Sequence, residues 1–174
     1  MDDVTVRPAT VDDADQTGRV HVRSWQVGYR GLMPDAVLDG LDPVARAARH
    51  REILARAEPG TATFVAVVDA AVVGFASVGD YRDGSDPDGA GEVYAIYVDP
   101  SAWGAGAGRA LMDAAVAYLT TTGPRPVRLW ALDGNERARR FYERYGFLAD
   151  GSVRTHPIGA GLDVPTVRYS LQPA

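Results

Sequence analysis

The apolar positions of the chain fall into runs of two kinds. Four β-rich runs, TFVAVVD (63–69), VVGFASVGD (72–80), EVYAIYV (92–98) and VRLWAL (127–132), read as strands, and the short AA between the first two makes them an antiparallel hairpin. A first strand is predicted over Val4–Pro8 and closing strands over 152–156 and 164–171. Elsewhere the apolar residues recur at helical spacing. One helix is predicted from Val11 to about Gln26, with Thr10 as N-cap and Asp12 and Asp13 placed to favour the helix dipole. A second starts at Asp42-Pro43, carries Val44, Ala47, Ala48, Arg51, Leu54 and Ala55, and stops at EPG (58–60). A third starts at Ala107, with Ala110, Leu111, Ala114 and Tyr118 on one face, and ends at TGP (122–124). A fourth lies in DGNERARRFYERYGF (133–147): Asp133 and Glu136 have capping-box spacing, Ala138, Phe141, Tyr142 and Tyr145 form the buried face, and Gly146 suits a left-handed C-cap. The polar, glycine-rich residues 81–91 are expected to form a mobile loop. The order β-α-α-β-β-β-α-β-α-β-β predicts one α/β domain over residues 1–174, built on a mostly antiparallel sheet.

Composition narrows the chemistry. The 174 residues, 46% hydrophobic and 24% charged, are those of an ordinary soluble globular protein. No apolar run is long enough to span a bilayer, and the acidic N-terminus has no apolar signal region, so a cytoplasmic location is expected with no membrane partner. The absence of cysteine excludes disulfides and thiolate chemistry. A net charge of −5 implies no general affinity for nucleic acid. All 18 basic residues are arginine, which excludes a lysine nucleophile, a lysine Schiff base and a phosphate-loop lysine. His21, His50 and His156 are scattered without metal-ligand spacing, and no metal is expected.

The stretch DPSAWGAGAGRALMDAAVAYL (99–119) places glycines at three alternate positions where a helix begins. Glycine weakens a helix by about 1 kcal/mol relative to alanine, so the bare backbone needs a reason. A strand, a glycine turn and a helix N-terminus together form an anion site, because unpaired N–H groups and the helix dipole both favour negative charge. The glycines fall as G-x-G-x-G, unlike the dinucleotide fingerprint, and Gly108 is followed by arginine, unlike the phosphate loop.

YVDPSAWGAGAGRALMDAA resembles the acyl-CoA loop of the GCN5-related N-acetyltransferases, whose motif is Arg/Gln-x-x-Gly-x-Gly/Ala; Trp103, Gly104, Ala105, Gly106, Ala107 and Gly108 occupy it in order. A second signature of that family matches Asn135, Tyr142, Gly146 and Phe147 in NERARRFYERYGF. The order of elements is similar from end to end. The resemblance implies a mixed, mostly antiparallel twisted sheet flanked by about four helices, with splayed fourth and fifth strands. It implies acetyl-CoA as donor, its pyrophosphate held by backbone N–H groups of the glycine loop and its pantetheine arm paired with the backbone of Ile96, Tyr97 and Val98. Trp103 departs from the family's arginine or glutamine; its indole N–H could replace one phosphate bond, and Arg109 or Arg139 could supply charge.

The implied activity is acetyl transfer to a primary amine by direct attack on the thioester. In the family, the tyrosine matched by Tyr142 sits by the sulfur as general acid, and Asn135 contacts pantetheine. Members that use a glutamate base carry it where Glu92 opens the fourth strand, acting through water; Asp80 and Tyr94 are the reserves. The acceptor pocket would draw on residues 24–35, 81–91 and 155–165, with Trp25, Tyr29, Tyr81 and Tyr94 as an aromatic wall and His156 as a further acid/base candidate. Asp83, Asp86, Asp88 and Glu92 could attract a cationic amine. Alternatives are a CoA-binding regulatory module without catalysis, an acyltransferase for longer acyl-CoA, and a nucleotide-binding protein of another fold. The resemblance implies a small-molecule or peptide amine as acceptor, and a homodimer is possible.

Overall fold

The computed structural model describes residues 3–83, 88–159 and 161–173. Strand β1 (Thr5–Pro8) leads through a 3₁₀ turn (Val11–Asp13) into helix α1 (Ala14–Gly28). Helices α2 (Asp35–Asp39) and α3 (Pro43–Arg56) follow, then strands β2 (Ala62–Val68), β3 (Ala71–Asp80) and β4 (Gly91–Val98). Helix α4 (Ala107–Leu119), strand β5 (Val127–Leu132), helix α5 (Glu136–Tyr145) and the hairpin β6 (Leu148–Gly159) and β7 (Leu162–Leu171) complete the chain. The seven strands form one sheet in the order β1-β2-β3-β4-β5-β7-β6. Every pairing is antiparallel except β4 with β5.

Several sequence expectations are corrected. The short helix α2 was not foreseen; its five residues are too few to show a period. The closing hairpin is longer than 152–156 and 164–171, because β6 continues pairing through two register shifts. On α3 the buried face runs through Ala47 and His50, whereas Val44 is exposed and Arg51 reaches solvent to pair with Asp15. On α4 the fully buried face is Ala107, Leu111, Met112, Ala115 and Leu119, one step round from Ala110, Ala114 and Tyr118. Both helices are alanine-rich, so their apolar stripes are broad and periodicity alone does not fix the inward face. Asn135, not Asp133, caps α5, its Oδ1 accepting from the Ala138 N–H at 3.1 Å. Gly146 does adopt the left-handed C-cap, with φ 118°.

Helices cover both faces of the sheet. On β3, Phe75 packs with Val20 of α1 while its neighbour Ala76 packs with Ala107 and Leu111 of α4. Successive strand residues point to opposite faces, so α1 and α4 lie on opposite sides. The larger core gathers Met112, Ala115 and Leu119 of α4 with Leu129, Phe147 and Tyr169. On the α1 face, Met33 and Leu38 of the α1–α2 region cover Leu132 and Val164.

Two features of β4 prepare the site. The register with β3 shifts between Ser77 and Val78, leaving Tyr94 without a partner as a bulge. The parallel pairing with β5 covers only Gly91–Val127, Glu92–Arg128 and Val93–Leu129. Beyond these pairs the two strands part, as expected of the fourth and fifth strands.

Candidate active site

The gap between the diverging strands opens a cavity of about 490 Å³. Its strand walls are residues 93–98 of β4 and 129–132 of β5. Tyr29 at the end of α1 bounds it on one face of the sheet, and Phe141 and Tyr142 of α5 bound it on the other. One end reaches Trp103, Gly104, Gly106, Gly108 and Arg109.

At that end Gly104 and Gly106 hold φ of 82° and 91°, a backbone that side chains rarely adopt, and a Cβ on either would meet nothing within 4 Å. Gly106 caps α4 without any side-chain bond. Among the described residues the N–H groups of 106–109 have no backbone acceptor, as an anion cradle requires. Ala105 and Ala107 do not line the cavity; Ala107 is buried against Ala66 and Ala76.

The unpaired edge of β4 is set by alternation. Asp99 N–H donates to Val73 O at 2.8 Å, so the backbone groups of Tyr97 also turn toward β3 and those of Ile96 and Val98 turn toward the gap. Tyr97 thus meets the cavity through its side chain, unlike the expected backbone role. The Val98 carbonyl accepts the Trp103 indole N–H at 2.8 Å. That bond corrects the expectation that the indole could serve a phosphate.

Charge at this end differs from expectation. Arg139 is not at the cavity; it donates to the Tyr169 hydroxyl at 2.9 Å and pairs with Glu136 at 3.2 Å, because its turn of α5 faces β7. Arg137 stacks on the Trp103 ring and lines the cavity together with Arg109 and Arg144. Burial lowers the Arg137 pKa to about 10, which leaves it charged near neutrality. Sequence reasoning missed Arg137 and Arg144, although both lie at i−4 and i+3 from Phe141 on one helical face. It also missed Trp130, which lines the cavity from β5.

Tyr142 lines the cavity and is 9% exposed, packed against Phe141, Phe147 and Tyr169. Burial raises its pKa, as it does for Tyr29 and Tyr97, so three neutral phenols surround the splay. Asn135 lines the cavity while its Oδ1 is spent on the cap.

Glu92 is 2% exposed and does not line the cavity. Arg82 closes on both of its oxygens, through Nη2 at 2.7 Å, Nε at 3.2 Å and the backbone N–H at 3.0 Å. At residue 92 the strands are still paired, which is why the carboxylate sits below the opening. Tyr94 does line the cavity; Gly79 gives its ring room, its hydroxyl donates to Asp80 O at 2.7 Å, and the Arg82 guanidinium lies 4.1 Å from its centroid. Asp80 is exposed and paired with Arg125. Among the described residues no carboxylate or histidine lines the cavity.

The rest of the expected aromatic wall is redistributed. Trp25 forms a second layer, packed on His21, Tyr29 and Tyr97. Tyr81 accepts from Arg168 at 3.0 Å and lies outside the cavity lining. Asp88 pairs with Arg128 at 3.1 Å, so with Glu92 also engaged these two acids present no free charge; Asp86 lies outside the described residues. Among the described residues no group of side chains suits a metal, and no helix is long and apolar enough to cross a membrane.

A split parallel strand pair, a glycine cradle at one end and a phenol at the split define an acyltransferase architecture. Residues 25–147 match the acetyltransferase (GNAT) family, and the chain belongs to it. It is 33% identical over 144 residues to the uncharacterised N-acetyltransferase YuaI of Bacillus subtilis, covering 82% of this chain and 79% of YuaI. Its fold is similar to PaiA N-acetyltransferase of Thermoplasma acidophilum solved with coenzyme A, with TM-score 0.73, 16% identity and coverage of 95% and 98% of the two chains. It is also similar to YncA of Salmonella typhimurium solved with acetyl-CoA, with TM-score 0.68, 21% identity and coverage of 97% and 93%.

Proposed function

We propose that the chain is an acetyl-CoA-dependent N-acetyltransferase, one domain over residues 1–174, acting on a primary amine by direct attack. The observation that carries this reading is the cavity through the β4–β5 split, reached from both faces of the sheet, with the glycine cradle at one end. The residues present fit acetyl-CoA. The N–H groups of residues 106–109 would hold its pyrophosphate, Arg109, Arg137 and Arg144 would neutralise its phosphates, and the backbone of Ile96 with the N–H of Val98 would pair with its amide-bearing arm. When bound, it supplies an activated acetyl group on sulfur.

The chain's own groups then divide the work. Backbone N–H groups of β4 past the bulge stabilise the oxyanion that develops on the attacked carbonyl. The Tyr142 hydroxyl, kept neutral by burial, donates a hydrogen bond to the departing sulfur and delivers its proton there. The amine loses its proton to water at the acceptor mouth, since among the described residues no carboxylate or histidine lines the cavity. Glu92, buried outside the cavity lining and held in the Arg82 fork, is out of reach of the amine and acts by fixing Arg82 over Tyr94.

Thiol release from acetyl-CoA in the presence of an amine panel tests the reading. Amine-dependent release with a matching acetylated product is expected. CoA binding without release for any amine would leave only the regulatory-module alternative.

A further inference from the structure

The α1 face of the sheet, where the cavity meets Tyr29, Tyr94 and Trp130, is crowded with arginine. Trp130 pairs with Arg168, Leu132 with Thr166, and Thr166 in turn with Arg154. Residues directly opposite on neighbouring strands share a face, so Trp130, Arg168 and Arg154 stand together. Three arginines of this region have carboxylate partners: Arg82 has Glu92 at 2.7 Å, Arg128 has Asp88 at 3.1 Å and Arg168 has Asp150 at 2.7 Å.

Arg154 has none. Its guanidinium lies 4.0 Å from the centroid of the Trp130 ring, and among the described residues its side chain makes no hydrogen bond or ion pair. Its Nε is buried without an acceptor, and so is the Nε1–H of Trp130. A guanidinium seated over an aromatic ring can turn its N–H edge to an oxyanion for a two-point contact. Nearby, His156 has its pKa lowered, first by burial and then by Arg154 and Arg82, against an opposing effect of Asp163. Among the charges acting on His156, the two arginines outweigh Asp163.

We infer that Arg154, stacked on Trp130, anchors an oxyanion carried by the acceptor, so that the substrate is a small amine bearing a carboxylate or an equivalent compact oxyanion, as a free amino acid does. The inference rests on the acetyltransferase reading and specifies its acceptor. The bound amine would enter the split beside Trp130, with its anionic group held back on the arginine-rich face. Simple cationic amines and polyamines would meet Arg154 with like charge and be disfavoured.

The experiment compares matched acceptors with the same amine: free amino acids, their carboxamides and aminophosphonates of the same length. Two readouts are used, thiol release from acetyl-CoA and calorimetric binding of each acceptor to CoA-saturated protein. The wild type is expected to favour the carboxylate over the carboxamide by ~10-fold or more in both, with the difference in KM rather than kcat. A phosphonate as good as the carboxylate also supports oxyanion recognition. Arg154→Gln should bring the carboxylate-to-amide ratio close to one, and Arg154→Lys, which keeps charge but not the fork, should fall between. Equal or better use of carboxamides by the wild type overturns the inference, without any appeal to variants. So does an unchanged ratio in a folded Arg154→Gln. If no amine supports thiol release, the acetyltransferase reading fails, while the calorimetric ratio still decides whether Arg154 holds an oxyanion.

Discussion

The Arg137 guanidinium carbon lies 2.9 Å from the centre of the Trp103 ring, and the same indole donates its N–H to the carbonyl of Val98. Trp103 therefore ties the glycine loop to the end of β4 and gives Arg137 a platform beside the cradle. Trp103→Phe keeps a ring but loses the bond to Val98, and CoA affinity should weaken by roughly 2- to 10-fold, the worth of one such bond. Arg137→Ala should weaken CoA by ~10-fold through loss of a charge-assisted phosphate contact. Calorimetry with CoA and with dephospho-CoA checks both; unchanged affinity in Arg137→Ala would remove it from the cofactor end.

Tyr142→Phe separates packing from chemistry, since the ring stays in the core and only the hydroxyl goes. A folded protein with near-normal CoA binding and turnover lower by ~10²-fold is expected. Single-turnover rates give the answer where product release limits the steady state. Full turnover in the chemical step would exclude thiolate protonation by this residue.

Gly106→Glu places an anion where the cradle has N–H donors. The new Cβ meets nothing within 4 Å, so the variant should fold, with a cost of about 1–2 kcal/mol for the φ of 91°. CoA should then fail to raise its melting temperature. A normal thermal shift would move the pyrophosphate elsewhere.

Glu92→Gln should lower the rate by the same factor at every pH if the carboxylate only positions Arg82 and Tyr94. A loss concentrated near neutral pH, fading as the acceptor amine deprotonates, would restore Glu92 as the base. Stability should fall as well, because Arg82 loses a charged partner that is 2% exposed. Thermal melts of Glu92→Gln and Arg82→Gln read that component separately from rate.

His21 and His50 meet at 3.2 Å, Nδ1 to Nε2, beneath Tyr97 and Phe75. Burial first, then Arg46, lowers His21 to about 3 and His50 to about 4 from 6.5. Folded pKa values below the unfolded ones mean that the unfolded chain takes up protons first as pH falls. Their contribution to stability is thus full above about pH 6.5 and lost as pH falls through about 4 and 3. Melting temperature should decline between pH 6.5 and 4, and His50→Gln should roughly halve that decline. A flat wild-type profile over this window would contradict the buried neutral pair.

The sequence alone carried the strands of the central sheet, the glycine turn before α4 and the tyrosine of α5, because each depends on local signals: β-rich runs, positive-φ glycines and a capped helix. It could not show which face of the alanine-rich helices turns inward, since alanine leaves the apolar stripe too broad to orient. Nor could it separate Arg137 from Arg139, whose fates depend on which turn of α5 faces the cavity and which faces β7. Glu92 read as an accessible carboxylate until the strands were placed; three residue pairs between β4 and β5 put it below the split and Arg82 closes on it. The same pairing, with β7 between β5 and β6, brings Trp130 and Arg154 together from strands more than twenty residues apart in the chain. Local propensity and motif determined the glycine turn at one end of the cavity; long-range strand register decided the surroundings of Trp130, because only register determines which side chains face one another across a sheet.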